Sequence, residues 1–185
     1  MLKLSSMNPK LNNAASFLWE VIKVVAISLL IVLPIRYFLV QPFYVKGSSM
    51  EPNFHDYEYL IIDELTYRFQ EPVRGQVVVM RDPMDQSKYF IKRIIGLPGD
   101  TLLIEEGKVY LNGDVLDESA YLGSNVETFA SNGVNEVVLG EDDYFVMGDN
   151  RSASFDSRRF GTIPKSEFVG RVWVRAWPFT KFAIY

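Results

Sequence analysis

The chain has no cysteine and a single histidine, His55, in 185 residues. The first absence excludes disulfides, thiolate-bound zinc, iron–sulfur clusters and a cysteine nucleophile. The second excludes a metal site built on several imidazoles, and it leaves a serine–histidine enzyme one ring to use. No G-x-G-x-x-G, G-x-S-x-G, Walker A or S-x-x-K pattern occurs, and there is no internal repeat. Basic residues are scarce beyond the front end. Residues 46–185 hold 15 basic and 22 acidic side chains, a net charge of −7. An acidic body opposes binding to nucleic-acid phosphates, so no nucleic-acid partner, metal or cofactor is expected.

A long uncharged run is also missing. The longest apolar stretch free of charge, Val24 to Ile35, is only twelve residues, short for a membrane span. Its flanks change that reading. Lys23 and Arg36 stand at the two ends, where long side chains can snorkel to the headgroups. Counting Val21 to Val40 gives twenty residues, about one bilayer crossing. Trp19 and Tyr37 fall near the two interfaces. A cleaved signal peptide would need small residues after its apolar core. Here Pro-Ile-Arg-Tyr-Phe-Leu-Val-Gln-Pro-Phe follows, without an Ala-x-Ala-like site. The front end therefore reads as an uncleaved anchor over residues 17–40. Lys3, Lys10 and Lys23 precede most of it and give residues 1–45 a net charge of +3. The positive-inside bias then places residues 1–16 in the cytoplasm and residues 41–185 outside.

Beyond Gln41 short apolar runs alternate with turn residues. Tyr59–Ile62, Gln76–Met80, Tyr89–Ile91, Val137–Leu139, Tyr144–Met147 and Val172–Val174 read as strands. Glu106-Gly107 and Asn112-Gly113 mark tight turns between Leu102–Glu105, Val109–Leu111 and Val115. Residues 117–135 are polar and read as a loop or insertion. The expected fold is mainly β: a barrel-like all-β body behind one N-terminal transmembrane helix.

Chemistry has few places to sit. Gly47-Ser48-Ser49-Met50-Glu51-Pro52 follows an expected strand after the anchor. A serine there could act as a nucleophile if a base were near, although an isolated Gly-Ser-Ser is usually a surface turn. His55, six residues on and beside Asp56, reads more simply as a loop residue. Lys92 is the better base. On a strand it shares a face with Phe90 and Ile94, while Arg93 shares the other with Ile91 and Ile95. An amine among apolar neighbours loses solvation, which lowers its pKa. A neutral amine can take a proton from a serine hydroxyl. The competing reading is a lysine that snorkels at a strand edge. Gly148-Asp149-Asn150-Arg151-Ser152-Ala153-Ser154-Phe155-Asp156-Ser157-Arg158 is dense in short hydrogen-bonding side chains and could build a polar wall. Asn150-Arg151-Ser152 within it also fits an N-glycosylation sequon.

Taken together, these segments resemble the type I signal peptidases, the bacterial membrane-bound Ser-Lys endopeptidases, along nearly the whole chain. Gly47–Pro52 is similar to the nucleophile box, Arg74–Val79 to a strand box, Tyr89–Asp100 to the lysine box, and Gly148–Arg158 to the last box. Four boxes in this order are specific where one would not be. The resemblance implies that Ser49 attacks the scissile carbonyl and that Lys92 is the general base. It implies that Ser154 orients Lys92, that Asp149 pairs with Arg93 and that Asp156 pairs with Arg158. The Ser49 N–H would donate to the oxyanion. The position two before the nucleophile, often Ser or Thr in the family, is Gly47 here. Ser48 or backbone alone is left for the second donor. Expected partners are secreted preproteins with Ala-x-Ala-like sites, lying extended beside the active site, and the lipid bilayer. The expected location is the bacterial cytoplasmic membrane, with a single pass. Trp177, Phe179 and Phe182 could seat the body on that bilayer. Two alternatives remain: a Ser-Lys peptidase of the self-cleaving repressor type, and a tethered β-domain without catalysis.

Overall fold

The computed structural model describes residues 9–38, 40–131 and 135–185. It divides into two compact units, Met1–Leu39 and Val40–Tyr185. The first eight residues of the expected 1–16 segment lie outside the described residues.

The first unit is one helix, α1, Pro9–Phe38. Proline at its first position loses no intrahelical bond, since that N–H would be unpaired in any case. The window Ser16–Leu33 has a mean hydropathy of 2.2 and is not buried in protein, so the helix is long and apolar enough to cross a membrane. Lys23 Nζ pairs with Glu20 Oε1 at 2.7 Å, one turn away, which lowers the cost of carrying both charges on such a helix. The helix begins before the expected residue 17 because Asn, Ala and Ser between Lys10 and Phe17 break no helical rule.

The second unit holds twelve strands among the described residues. In chain order they are β1 (Val40–Tyr44), β2 (Tyr59–Asp63), β3 (Val77–Asp82), β4 (Asp85–Gly96), β5 (Thr101–Glu105), β6 (Lys108–Leu111), β7 (Asp114–Val115), β8 (Glu136–Val138), β9 (Asp143–Met147), β10 (Ile163–Pro164), β11 (Phe168–Trp177) and β12 (Ala183–Ile184). One sheet runs β1-β2-β11-β3-β4-β9-β10, with β12 added to β11. A smaller one runs β7-β6-β5-β8. Both turns expected in the smaller sheet carry the required backbone. Glu106 and Gly107 have φ of 49° and 75°, and Asn112 and Gly113 have 53° and 92°, as two-residue hairpin turns demand.

The expected mainly β body is found, although among the described residues neither sheet closes into a barrel. Each end strand of the large sheet contains a proline, Pro42 in β1 and Pro164 in β10. Proline has no N–H to offer a further strand, so it belongs on an edge. β4 is also far longer than the expected Tyr89–Ile91, because β3 and β4 form a hairpin that pairs from Asp82↔Asp85 to Val77↔Arg93.

β3 is buried on both faces. Val77 and Val79 pack with Met50, Phe54, Leu60 and Ile62, while Val78 and Met80 pack with Ile94, Val146 and Ile163. That explains why its sequence is a continuous apolar run and not an alternating one. The loop carrying Ser49 is pinned to the first of these cores by Met50 and Phe54, which are 1% and 0% exposed. Lys92 lies on β4, paired with Val78. Nucleophile candidate and base candidate are thus fixed by the same packed strands.

Candidate active site

Lys92 is 3% exposed. Its Nζ donates to Ser49 Oγ at 3.0 Å and to the carbonyl of Ile91 at 3.0 Å. It also lies 5.1 Å from the centre of the Phe90 ring. Burial pushes the amine's pKa down to about 8, against a smaller upward pull from the carboxylates of Asp156, Asp149 and Asp82. At that value about one amine in ten is neutral at pH 7, against fewer than about one in a thousand at the ordinary value.

The Ser49 loop is shaped by three contacts. Gly47 has φ of 96°, a region that suits glycine, and its N–H donates to Asp56 Oδ1 at 3.0 Å. The Asn150 N–H donates to the Ser49 carbonyl at 3.0 Å, and Asn150 Nδ2 donates to the Ser48 carbonyl at 3.1 Å. With Ser152 Oγ donating to Asn150 Oδ1, both ends of that amide are engaged within the site, an arrangement a glycan on Asn150 would break. The Ser48 side chain is exposed. Neither its hydroxyl nor the Ser49 N–H is hydrogen-bonded among the described residues. His55 is half-exposed and faces Glu51 at 3.7 Å, not the serine.

Both expected ion pairs are present. Arg93 Nε and Nη2 grip Asp149 at 2.8 and 2.6 Å, with the third nitrogen on the Gly75 carbonyl at 2.7 Å. Arg158 grips Asp156 through Nε and Nη2 at 2.8 Å each. Burial would raise the Asp156 carboxyl. Arg158 and the Gly148 N–H outweigh that and hold it below the usual carboxylate range. Asp156 also caps the short helix α2, Ser157–Phe160, by accepting from the Arg158 N–H.

Ser154 departs from expectation. Its hydroxyl is buried and close enough to help hold Asp156 low, yet it makes no hydrogen bond of good geometry. Lys92 Nζ spends its bonds on Ser49 and Ile91 instead. Ser154 nevertheless crowds Gly148 from the same side as the Ser49 carbonyl. A Cβ on Gly148 would overlap both Ser154 Oγ and the Ser49 carbonyl, so only glycine allows this approach.

Three contributors lie outside the segments that sequence pointed to. Asn53 Nδ2 donates to Asp149 Oδ2 at 2.8 Å and to the Tyr121 carbonyl at 2.6 Å. Tyr121 lies under the Arg93 guanidinium at 4.1 Å. Glu118 pairs with Arg151. The one signal in the sequence is a tyrosine three residues after a glutamate inside a polar loop, which by itself reads as a turn. Among the described residues no group of three or more metal-ligating side chains occurs.

Beside Ser49 and Lys92 opens a cavity of about 100 Å³, lined on its apolar side by Phe43, Val45, Leu60 and Ile91. It lies against the open edge of β1.

The chain is similar to proteins of one family across most of its length. A family model described as signal peptidase, peptidase S26, matches residues 18–177. A signal peptidase I of Bacillus licheniformis is 36% identical over 179 residues, covering 93% of this chain and 95% of its own. One from Leptolyngbya laminosa is 36% identical over 173 residues, covering 89% and 82%. One from Bacillus amyloliquefaciens is 39% identical over 160 residues, covering 82% and 81%. With a match across most of its length and an amine placed on a serine at its centre, the chain belongs to the signal peptidase family, peptidase S26.

Proposed function

We propose that the chain cuts signal peptides from exported preproteins by a Ser49–Lys92 dyad. The family supplies the reaction class, a serine endopeptidase acting on preproteins with signal peptides. The observation that carries the dyad is the 3.0 Å contact between a 3%-exposed lysine amine and the Ser49 hydroxyl.

The neutral Lys92 amine takes the proton of Ser49 Oγ as Oγ bonds to the scissile carbonyl carbon. The resulting ammonium gives that proton to the departing amine as the C–N bond breaks, leaving an ester on Ser49. Lys92 then takes a proton from water as its oxygen bonds to the ester carbon, and gives it to Ser49 Oγ as that C–O bond breaks, which frees the new C-terminus and restores the serine. The free Ser49 N–H is one oxyanion donor. Ser48 is the candidate for the second, a reading that its exposed and uncommitted hydroxyl supports. Asp149–Arg93 and Asp156–Arg158 act as scaffold. The resemblance assigns Ser154 to orient Lys92; it is buried beside Gly148 without a hydrogen bond to the amine.

An extended substrate paired to β1 presents alternate side chains to one face. Two of them, separated by one residue, then point at the small apolar cavity beside Ser49. A volume of about 100 Å³ suits side chains the size of alanine, which supports an Ala-x-Ala-like preference. α1 anchors the enzyme in the bilayer that also holds its substrate, which raises their effective concentration. The excess of Lys before the span puts the N-terminus in the cytoplasm and residues 41–185 outside, in a single pass.

Ser49→Ala and Lys92→Ala, assayed as full-length protein in detergent, each lose cleavage of a preprotein. Undiminished turnover in either would refute the dyad. A reporter fused after Tyr185 behaves as extracytoplasmic, and cytoplasmic behaviour would reverse the orientation.

A further inference from the structure

The polar stretch that reads as a passive insertion makes close contact with all the segments that build the site. Glu118 holds Arg151 in a two-pronged pair, Oε1 to Nη2 at 2.5 Å and Oε2 to Nη1 at 2.8 Å. The Arg151 side chain is 1% exposed and that of Glu118 is 14% exposed. Tyr121, one turn on, donates its hydroxyl to Glu118 Oε1 at 2.9 Å. Its ring supports Arg93, the residue next to Lys92, and its carbonyl accepts from Asn53, three residues past Met50. Arg151 in turn donates from Nε to the Gly148 carbonyl at 3.2 Å, while its own carbonyl accepts from Arg158 Nη2 at 2.8 Å. The turn so held, Gly148 to Asn150, is the one whose N–H binds the Ser49 carbonyl.

A guanidinium this deeply buried needs a carboxylate partner, because neutral acceptors do not repay its desolvation. Among the described residues Glu118 is the only acid bonded to Arg151; its other acceptors are the Gly148 carbonyl and Thr128 Oγ1. Without that charge, Arg151 moves toward water and withdraws its Nε from Gly148. Gly148 has no slack, since a single added carbon would strike Ser154 and the Ser49 carbonyl. Any displacement of this turn therefore reaches the nucleophile.

We propose that Glu118 and Tyr121 are positioning residues for peptide-bond cleavage. Through Arg151 and Arg93 they keep the Gly148–Asn150 turn, and with it Ser49, in register with Lys92. The inference rests on the Ser49–Lys92 reading. It assigns to the loop a role in the chemical step and not in substrate capture, because neither residue lines the cavity beside β1.

The test uses the full-length protein in detergent, well below the melting temperature of each variant. Glu118→Gln keeps volume and removes charge. Its kcat is expected to fall about ten- to a hundredfold, the cost of a sub-ångström misplacement, with KM within about twofold. Tyr121→Phe removes only the hydroxyl, and its kcat falls several-fold in the same pattern. Arg151→Gln loses about as much as Glu118→Gln, and the double variant loses no more, as one unit requires. A wild-type kcat with a lowered melting temperature would show a merely structural loop and overturn the proposal. So would fully additive losses in the double variant, or a loss confined to KM. Should Glu118→Gln not fold, Tyr121→Phe decides by the same split of kcat from KM. Turnover surviving in Ser49→Ala or Lys92→Ala run in parallel would instead refute the dyad itself.

Discussion

Replacing Lys92 by methionine is expected to stabilise the protein at neutral pH, and the gain should vanish in alkali. The amine's pKa drops from its ordinary 10.5 to about 8, chiefly through burial. Each pKa unit is worth about 1.4 kcal/mol, so at pH 7 the folded state carries about 3 kcal/mol for holding an ammonium in an apolar site. Lys92→Met removes that penalty at similar volume. It also removes the bonds to Ser49 Oγ and Ile91, about 1 kcal/mol in net terms. The variant should then be more stable by about 2 kcal/mol at pH 7. The pH dependence is the sharper test. Below about 8 both folded and unfolded wild type are protonated, and the penalty is complete. Between about 8 and 10.5 the folded protein has released the proton and the unfolded chain has not, so wild-type stability rises by about 1.4 kcal/mol per pH unit. The variant lacks this rise, and its advantage disappears between about pH 9 and 10. Tyrosines such as Tyr44 and Tyr185, whose pKa values burial raises from the ordinary value, are common to both proteins and cancel in the difference. Urea titrations of the full chain in micelles, followed by tryptophan fluorescence from pH 6.5 to 10, measure it. A difference that stays constant with pH, or a variant less stable at pH 7, would refute the claim that burial lowers the Lys92 pKa at a cost in stability.

Three further outcomes are expected. Because only the neutral amine acts as base, kcat/KM rises with pH through a limb near 8, with about one enzyme in ten competent at pH 7; a flat profile from pH 6 to 9.5 contradicts this. Gly148→Ala drives a carbon into Ser154 and the Ser49 carbonyl, so preprotein cleavage falls by at least about tenfold even where circular dichroism shows an intact sheet; wild-type activity would mean the turn has slack. Asp149→Asn strands Arg93, whose pair is 10% and 0% exposed, and costs about 3–5 kcal/mol of stability. Lys165→Ala, from a pair whose glutamate is 75% exposed, costs under about 1 kcal/mol. Equal losses in the two titrations would overturn the burial argument.

What could be read without coordinates was local. Strand positions followed from β-branched runs, and both hairpins of the small sheet from Gly107 and Gly113, because turn geometry and side-chain alternation are decided within a few residues. Lys92 stood out because its own strand neighbours, Phe90 and Ile94, are apolar. The partners of these residues were not legible from physics. Ser49 is 43 positions from Lys92, Asp149 is 56 from Arg93, and Arg151 is 33 from Glu118. No local rule gives the register that joins them, and the first two pairings were expected only because four boxes resembled a family. Glu118 and Tyr121 lay outside those boxes, in a segment whose polarity is that of any loop. The open ends of the large sheet were readable in principle from Pro42 and Pro164, but only once each is known to lie in a strand.

The charged pairs around the dyad follow from the same requirement as its burial. Asp149 and Asp156 both pull the Lys92 pKa upward, against the task of keeping the amine neutral. The site keeps them because their oxygens also organise the backbone: Asp156 accepts from the Gly148 N–H at 3.1 Å, and Asp149 accepts from Asn53. Each carboxylate is therefore clasped by a guanidinium through two nitrogens, Arg93 on one and Arg158 on the other. Each guanidinium satisfies the lone pairs of a carboxylate that would otherwise be buried without a counter-charge. Burial outweighs the pull of both carboxylates and leaves Lys92 with a pKa of about 8. Arginine suits this use because it stays protonated at any working pH and its planar fork matches a carboxylate. A lysine in its place would be a single point charge, subject to the same desolvation that tunes Lys92. On this account the arginines hold in place the two carboxylates that organise the backbone around Lys92 and Ser49.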